Sequence, residues 1–140
     1  MKVLIDVNVV IDVIERRPVF FTDSYAVLRL IAEGAVDGFI AAGSIADIHY
    51  ILRKGGLTPE QARTALVHLT QVIDMCDTTA SDVTHALVSD MADIEDAVLA
   101  ECARHIGADA IITRDLRDFA ASPVLAMSPP QFLRHITDSA

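Results

Sequence analysis

Lys2-Val3-Leu4-Ile5-Asp6-Val7-Asn8 stands at the start of the sequence, and Ala110-Ile111-Ile112-Thr113-Arg114-Asp115 returns to the same pattern near its end. Each is a short unbroken apolar run followed by an acid, directly in the first and after Thr113-Arg114 in the second. Runs of this length without alternation read as strands buried on both faces, as in a parallel sheet covered by helices. Outward from these two runs the chain alternates. Residues 9–14 predict a short helix, broken by Arg16-Arg17-Pro18. Thr22 or Asp23 can cap a second helix carrying Ala26, Val27, Leu30 and Ile31, with Gly34 as its stop. Residues 38–41 predict a strand, and Gly43-Ser44 starts a helix running to Leu52. Thr58-Pro59-Glu60 is a cap followed by proline at the first helical position, opening a helix to about Thr70. A strand at 72–75 and a helix at 81–89 follow. Asp93 caps a helix over 94–106 that stops at Gly107. An edge strand at 124–126 and a closing helix from Pro129-Pro130 complete the order. The expected class is α/β, a three-layer α/β/α sandwich with a central, mainly parallel sheet, as one domain over 1–140.

Composition sets the outer limits. The 140 residues carry 20 Asp+Glu against 11 Lys+Arg, a formal charge of −9. Glu is confined to Glu15, Glu33, Glu60, Glu95 and Glu101, so 20 − 5 = 15 of the acids are Asp. A 52% hydrophobic share and a mean hydropathy of +0.41 exclude a disordered chain. No apolar run nears the ~18–20 residues of a membrane span, and Asp6 follows Met1 too closely for a secretory signal. Cys76 and Cys102 form no spaced motif and read as buried thiols of a reducing cytoplasm. Excess negative charge by itself speaks against nucleic acid, because phosphate contact calls for Lys and Arg.

The positions of the acids change that inference. In open α/β sheets ligands sit beyond the carboxyl ends of the strands. Asp6 and Asp115 each follow a strand at that end. Asp47 and Asp96 each fall in the first turn of a helix. An acid in either place is often only a cap or a dipole partner. Asp96, however, shares a helical stripe with Leu99, Ala100 and Ala103, and Asp47 is flanked by Ile48 and Ile51. A carboxylate on an apolar stripe is costly without a partner, and no Lys or Arg shares those stripes. Clustered oxygens suit Mg²⁺ or Mn²⁺, whereas the lack of Cys/His ligand spacing argues against structural zinc.

These segments resemble, in order, the motifs of PIN-domain ribonucleases in the class of VapC-type toxins. Leu4-Ile5-Asp6-Val7-Asn8-Val9-Val10-Ile11-Asp12 is similar to the opening strand and turn, with Asn two residues after Asp. The segments from Ser44 to Arg53, from Asp93 to Ala100 and from Ala108 to Phe119 resemble the second, third and fourth, the last being the most specific. The resemblance implies metal-dependent cleavage of RNA phosphodiesters. It implies Asp6, Asp96 and Asp115 as ligands of Mg²⁺ or Mn²⁺, Asp47 as the fourth catalytic acid, and Asn8, Thr113 and Asp118 as supporting groups. Many relatives carry Glu where Asp47 stands, and Asp is one methylene shorter. Asp47 therefore ranks below the other three, with Glu95 or Asp93 placed to compensate. An antitoxin protein and a homodimer are implied in the same way, with the helices around 25–31 and 62–69 as candidate surfaces.

Hydrolysis on a divalent ion needs no side-chain base. His49, His68, His85, His105 and His135 are scattered, and no Ser/His/Asp grouping occurs, so Ser44 reads as a helix cap. Positive charge for RNA is sparse. Arg16-Arg17 and Arg53-Lys54 are local clusters, and Arg114 and Arg117 bracket Asp115, which makes them the better candidates. Tyr25 and Tyr50 can stack on unpaired bases. Two other functions compete. A phosphoacceptor or phosphatase site pairs strand-end acids with Lys, but Lys occurs only as Lys2 and Lys54, neither at a strand end. A catalytically inactive PIN-like binding module would keep the fold and lose the chemistry.

Overall fold

The computed structural model describes residues 1–139, and among them one sheet of five strands, all parallel, is flanked by seven α-helices. The order along the chain is β1 (Lys2–Ile5), α1 (Val7–Ile14), α2 (Phe21–Ala32), β2 (Asp37–Ala41), α3 (Ile45–Lys54), α4 (Pro59–Val72), β3 (Asp74–Cys76), α5 (Ala80–Leu87), α6 (Ile94–His105), β4 (Ala110–Ile112), β5 (Ala126–Met127) and α7 (Pro129–Asp138). The spatial order is β3-β2-β1-β4-β5. The two strands singled out by their apolar runs are therefore neighbours at the centre, with Ile5 opposite Ile112.

Period-two geometry divides each central strand between two cores. Val3 and Ile5 of β1, with Ala110 and Ile112 of β4, face a cluster that includes Val9, Val27, Ile48, Leu66 and Phe132. Leu4 and Ile111 face the opposite cluster, with Leu99, Ala100, Ala103 and Phe119. Both faces of β1 and β4 are buried, which is why neither strand alternates in sequence.

Glycines act where the backbone demands it. Gly34 ends α2 at a φ of +77°, a left-handed position that favours a residue without Cβ. At Gly38 in β2 the space a Cβ would fill is taken by the Ile31 side chain. That close approach seats α2 on the sheet.

Several boundaries differ from the sequence reading. α1 begins at Val7, and Asp6 is its N-cap. α2 begins at Phe21 without a side-chain cap, so neither Thr22 nor Asp23 caps it. The chain enters α3 through a 3-10 turn at Ala42–Ser44, and Ser44 makes no capping bond. α4 continues through Val72 and moves β3 to Asp74–Cys76, and β5 lies later, at Ala126–Met127. β3 and β5 are the edge strands of the sheet, where pairing rather than apolar runs decides the limits. Thr58 and Ser128 cap α4 and α7 through reciprocal capping boxes, and Asp93 caps α6. Cys76 and Cys102 are both buried free thiols. Among the described residues no helix is long and apolar enough to cross a membrane.

Candidate functional site

Parallel strands end at one edge, so their exits converge. Asp6 leaves β1 there, and its amide donates to the Ile112 carbonyl at 2.9 Å, which fixes it beside the end of β4. A cavity of about 280 Å³ opens at this edge. Asp6, Asp47, Glu95 and Asp96 line it, with Thr78 and Ser44 among the other walls. None of its lining residues is Lys, Arg or His. Tyr25 and Tyr50 do not line it either.

A hydrogen-bonded frame holds the acids. Asp6 is 8% exposed. Its Oδ1 accepts from the Val7 amide at 2.7 Å and its Oδ2 from Thr113 Oγ1 at 2.7 Å. Asn8 Nδ2 donates to Asp6 Oδ2 at 3.2 Å and to Asp115 Oδ2 at 3.0 Å, tying the two strand ends together. Thr113 Oγ1 also accepts from the Asp115 amide at 3.0 Å. Asp96 reaches the same edge from the first turn of α6, its amide donating to Asp93 Oδ1 at 3.0 Å. Asp47 and Asp118 are exposed, Asp47 on the cavity rim and Asp118 in a 3-10 turn after β4.

The electrostatics follow from crowding. Burial pushes the Asp6 carboxyl above the usual carboxylate range, opposed by its bond from Thr113 and aided by the charge of Asp115. Asp96 is pushed up to about 7, first by burial and then by the negative charges of Asp93, Asp6, Asp118 and Asp115. A carboxyl raised by folding keeps its proton at pH values where the unfolded chain has released it. Stability contributed this way is present at the acid end and lost as pH climbs from about 4 through about 7. In chelator, the melting temperature of the protein should fall across that window, and that of Asp96→Asn should fall less. Equal slopes in thermal unfolding would remove Asp96 as the source.

A divalent ion fits this donor set in kind: hard oxygens, several negative charges and no cationic side chain in the cavity. Among the described residues no three Asp, Glu, His or Cys side chains come close enough together to hold a metal ion between them.

The arginines divide. Arg114 Nε donates to Asp12 Oδ2 at 2.8 Å and its guanidinium lies over the Phe20 ring at 4.0 Å, while Arg117 is exposed. Arg17 pairs with Glu15 and Asp12. Lys2 donates to the Ile106 carbonyl at the far end of β1, away from the acids. Three buried carboxylates, Asp12, Asp82 and Glu101, lie outside the candidates the residue pattern gives, Glu101 pairing with Arg104 at 3.0 Å. Asp12 is fully buried in α1 and also accepts from Ser24 Oγ at 3.0 Å. An acid among Val9, Val10 and Ile11, four residues after Asn8, was the available signal. Asp82 Oδ2 accepts from the Thr79 amide at 2.9 Å, and Oδ1 pairs with His105 Nδ1 at 2.9 Å. Burial would raise it, but the Thr79 amide and His105 outweigh that and hold it low.

A family model described as PIN domain matches residues 2–117. No curated protein sequence matches. The fold is similar to that of VapBC2 from Rickettsia felis bound to a DNA fragment from its promoter, at 18% identity and a TM-score of 0.72, covering 91% of this chain and 98% of that one. It is also similar to a toxin-antitoxin complex from Klebsiella pneumoniae, at 17% identity and a TM-score of 0.69, covering 91% and 97%. FitAcB from Neisseria gonorrhoeae matches at 20% identity and a TM-score of 0.66, again over 91% and 97%. At these identities the likeness is one of fold.

Proposed function

The chain belongs to the PIN domain family, and we propose that it is a metal-dependent ribonuclease acting as the toxin of a toxin–antitoxin pair. The observation that carries this reading is the acid-lined cavity at the strand ends, bounded by Asp6, Asp47 and Asp96 and joined to Asp115 through Asn8. Asp6, Asp96 and Asp115 would hold Mg²⁺ or Mn²⁺, with Asp47 as a fourth acid on the rim. A bound divalent ion would offset the negative charge that phosphodiester hydrolysis builds on the attacking and leaving oxygens. The remaining work falls to the chain. Asn8 and Thr113 fix the Asp6 and Asp115 carboxylates so that little reorganisation is needed as charge develops. Arg117, exposed beside Asp115, is available to an RNA phosphate. Asp118 adds negative charge at the same edge.

The antitoxin belongs to the same proposal, since the Klebsiella pneumoniae neighbour is described as a toxin-antitoxin complex. An apolar groove of about 430 Å³ lined by Val13, Ile14, Tyr25, Leu28 and Leu69 supports a protein contact on the α2 and α4 side, for the antitoxin or for a second copy. The cytoplasm, where RNA and such pairs meet, is the proposed location. A catalytically inactive module of the same fold is the second reading, favoured because among the described residues no three Asp, Glu, His or Cys side chains gather closely enough to hold an ion. One experiment separates them. Total RNA incubated with the protein and Mg²⁺ or Mn²⁺ should show discrete mapped cuts that EDTA stops. RNA left intact under metal, or cut equally in EDTA, would sink the enzyme reading.

A further inference from the structure

Beside the acidic edge the chain spends conformational energy on a turn that buries little. In the connection between α1 and α2, Arg16 and Val19 hold φ values of +49° and +76°. For a β-branched residue the left-handed region is strained, and such strain concentrates where a ligand is met. Val19 is 88% exposed and Phe20, next to it, is 41% exposed. The turn therefore presents apolar surface to solvent instead of burying it.

That surface faces a fixed platform. The Arg114 guanidinium lies 4.0 Å from the Phe20 ring centroid. Asp12 holds Arg114 Nε from beneath at 2.8 Å, and Ser24 holds the same Asp12 oxygen. The Arg114 amide donates to Asn8 Oδ1 at 3.3 Å, and Asn8 in turn binds Asp6 and Asp115. Platform and acids thus share one rigid network. A cleft of about 260 Å³ opens on the platform, walled by Phe20, Asp23, Arg114 and the start of α7 from Ser128 to Pro130. This is below the roughly 300–1,000 Å³ of drug-sized sites, so it has room for a single flat group.

Charge decides which group. Asp23 repels a phosphate, and Arg114 Nε is already committed to Asp12. Stacking on aromatic and guanidinium planes is how unpaired bases are held. Carboxylate oxygens accept and do not donate. They match the guanine Watson–Crick edge, which offers adjacent N–H donors, and mismatch uracil, whose single donor lies between two acceptors.

We propose that the cleft between Phe20, Asp23, Arg114 and Ser128–Pro130 is a nucleobase subsite flanking the acidic edge, with guanine as its preferred base. The proposal rests on the nuclease reading for its biological substrate, but not for its test. Guanosine and uridine 5′-monophosphates are titrated separately into ¹⁵N-labelled protein. Guanosine monophosphate should shift amides near 19–24, 113–115 and 128, and uridine monophosphate should bind at least about fivefold more weakly. Phe20→Ala, at an exposed position, should weaken guanosine monophosphate by about five- to hundredfold, the range of one stacked base. Asp23→Asn should bring the two nucleotides close to parity. Thermal melts check that both variants fold.

Absent or equal binding of the two nucleotides, or shifts elsewhere, would overturn the subsite. So would Phe20→Ala losing a protein partner while keeping its nucleotide shifts, which would make the cleft a protein contact. The two readings fail separately. A protein that cuts no RNA yet discriminates the nucleotides here keeps the subsite and loses the activity. A nuclease without discrimination keeps the activity and loses the subsite.

Discussion

Asp6→Asn is expected to leave a folded protein whose RNA cleavage falls by on the order of a hundred- to a thousandfold, the loss typical of removing one preorganised electrostatic group. The substitution is nearly isosteric. Its side-chain oxygen can still accept from the Val7 amide, so the cap of α1 survives. What disappears is one negative charge from a buried position already crowded by Asp115. The relieved repulsion is set against the loss of the Oδ2 acceptor used by Thr113 and Asn8, so folding should change little while activity collapses. Asp96→Asn should behave alike, because its carboxyl carries the repulsion of four neighbouring acids. Retained stability with lost activity marks a functional site, whereas a structural carboxylate would lose both. Cleavage of a mapped RNA, measured beside urea unfolding, reads the two quantities. Parent-like cleavage by Asp6→Asn would show that the acidic edge is not where RNA is cut.

Phe132→Ala should produce the largest loss of stability. Phe132 is fully buried and belongs to the larger core, where α7 packs on α2. Truncating a buried Phe costs about 3–5 kcal/mol, against a total of about 5–15 for a domain. The melting temperature should drop by roughly 10 °C or more. Arg134→Ala, on the exposed side of the same helix, should stay within about 0.5 kcal/mol. A loss below about 1 kcal/mol for Phe132→Ala in urea unfolding would mean that α7 does not close the core. The family match ends at residue 117, so this measurement also tests whether the last helix is integral to the domain.

Legibility followed the source of each constraint. β1 and β4 were readable because burial on both faces leaves an unbroken apolar run, and α4, α6 and α7 because Thr58, Asp93 and Pro129-Pro130 mark their starts. The start of α2 was not readable, since Phe20 stands at the cap position without a capping side chain and the preceding turn is strained. β3 and β5 are short edge strands whose limits depend on the strand beside them. Of the site, the acids and their order were visible as residues at strand ends and first turns. The pairing of Arg114 with Asp12 was not, because those residues are distant in sequence and meet only once β4 lies against β1.

Sequence by itself determined the alternation of strands and helices, the parallel sheet and the set of acids, because burial, capping and turn chemistry act over a few residues. Tertiary structure alone decided which acids share a cavity, which arginine is anchored and which stays free, and how far each carboxyl is displaced from its usual range. Those properties depend on distances between segments far apart in the chain. Coulomb energy and desolvation respond to such distances, and no local pattern encodes them.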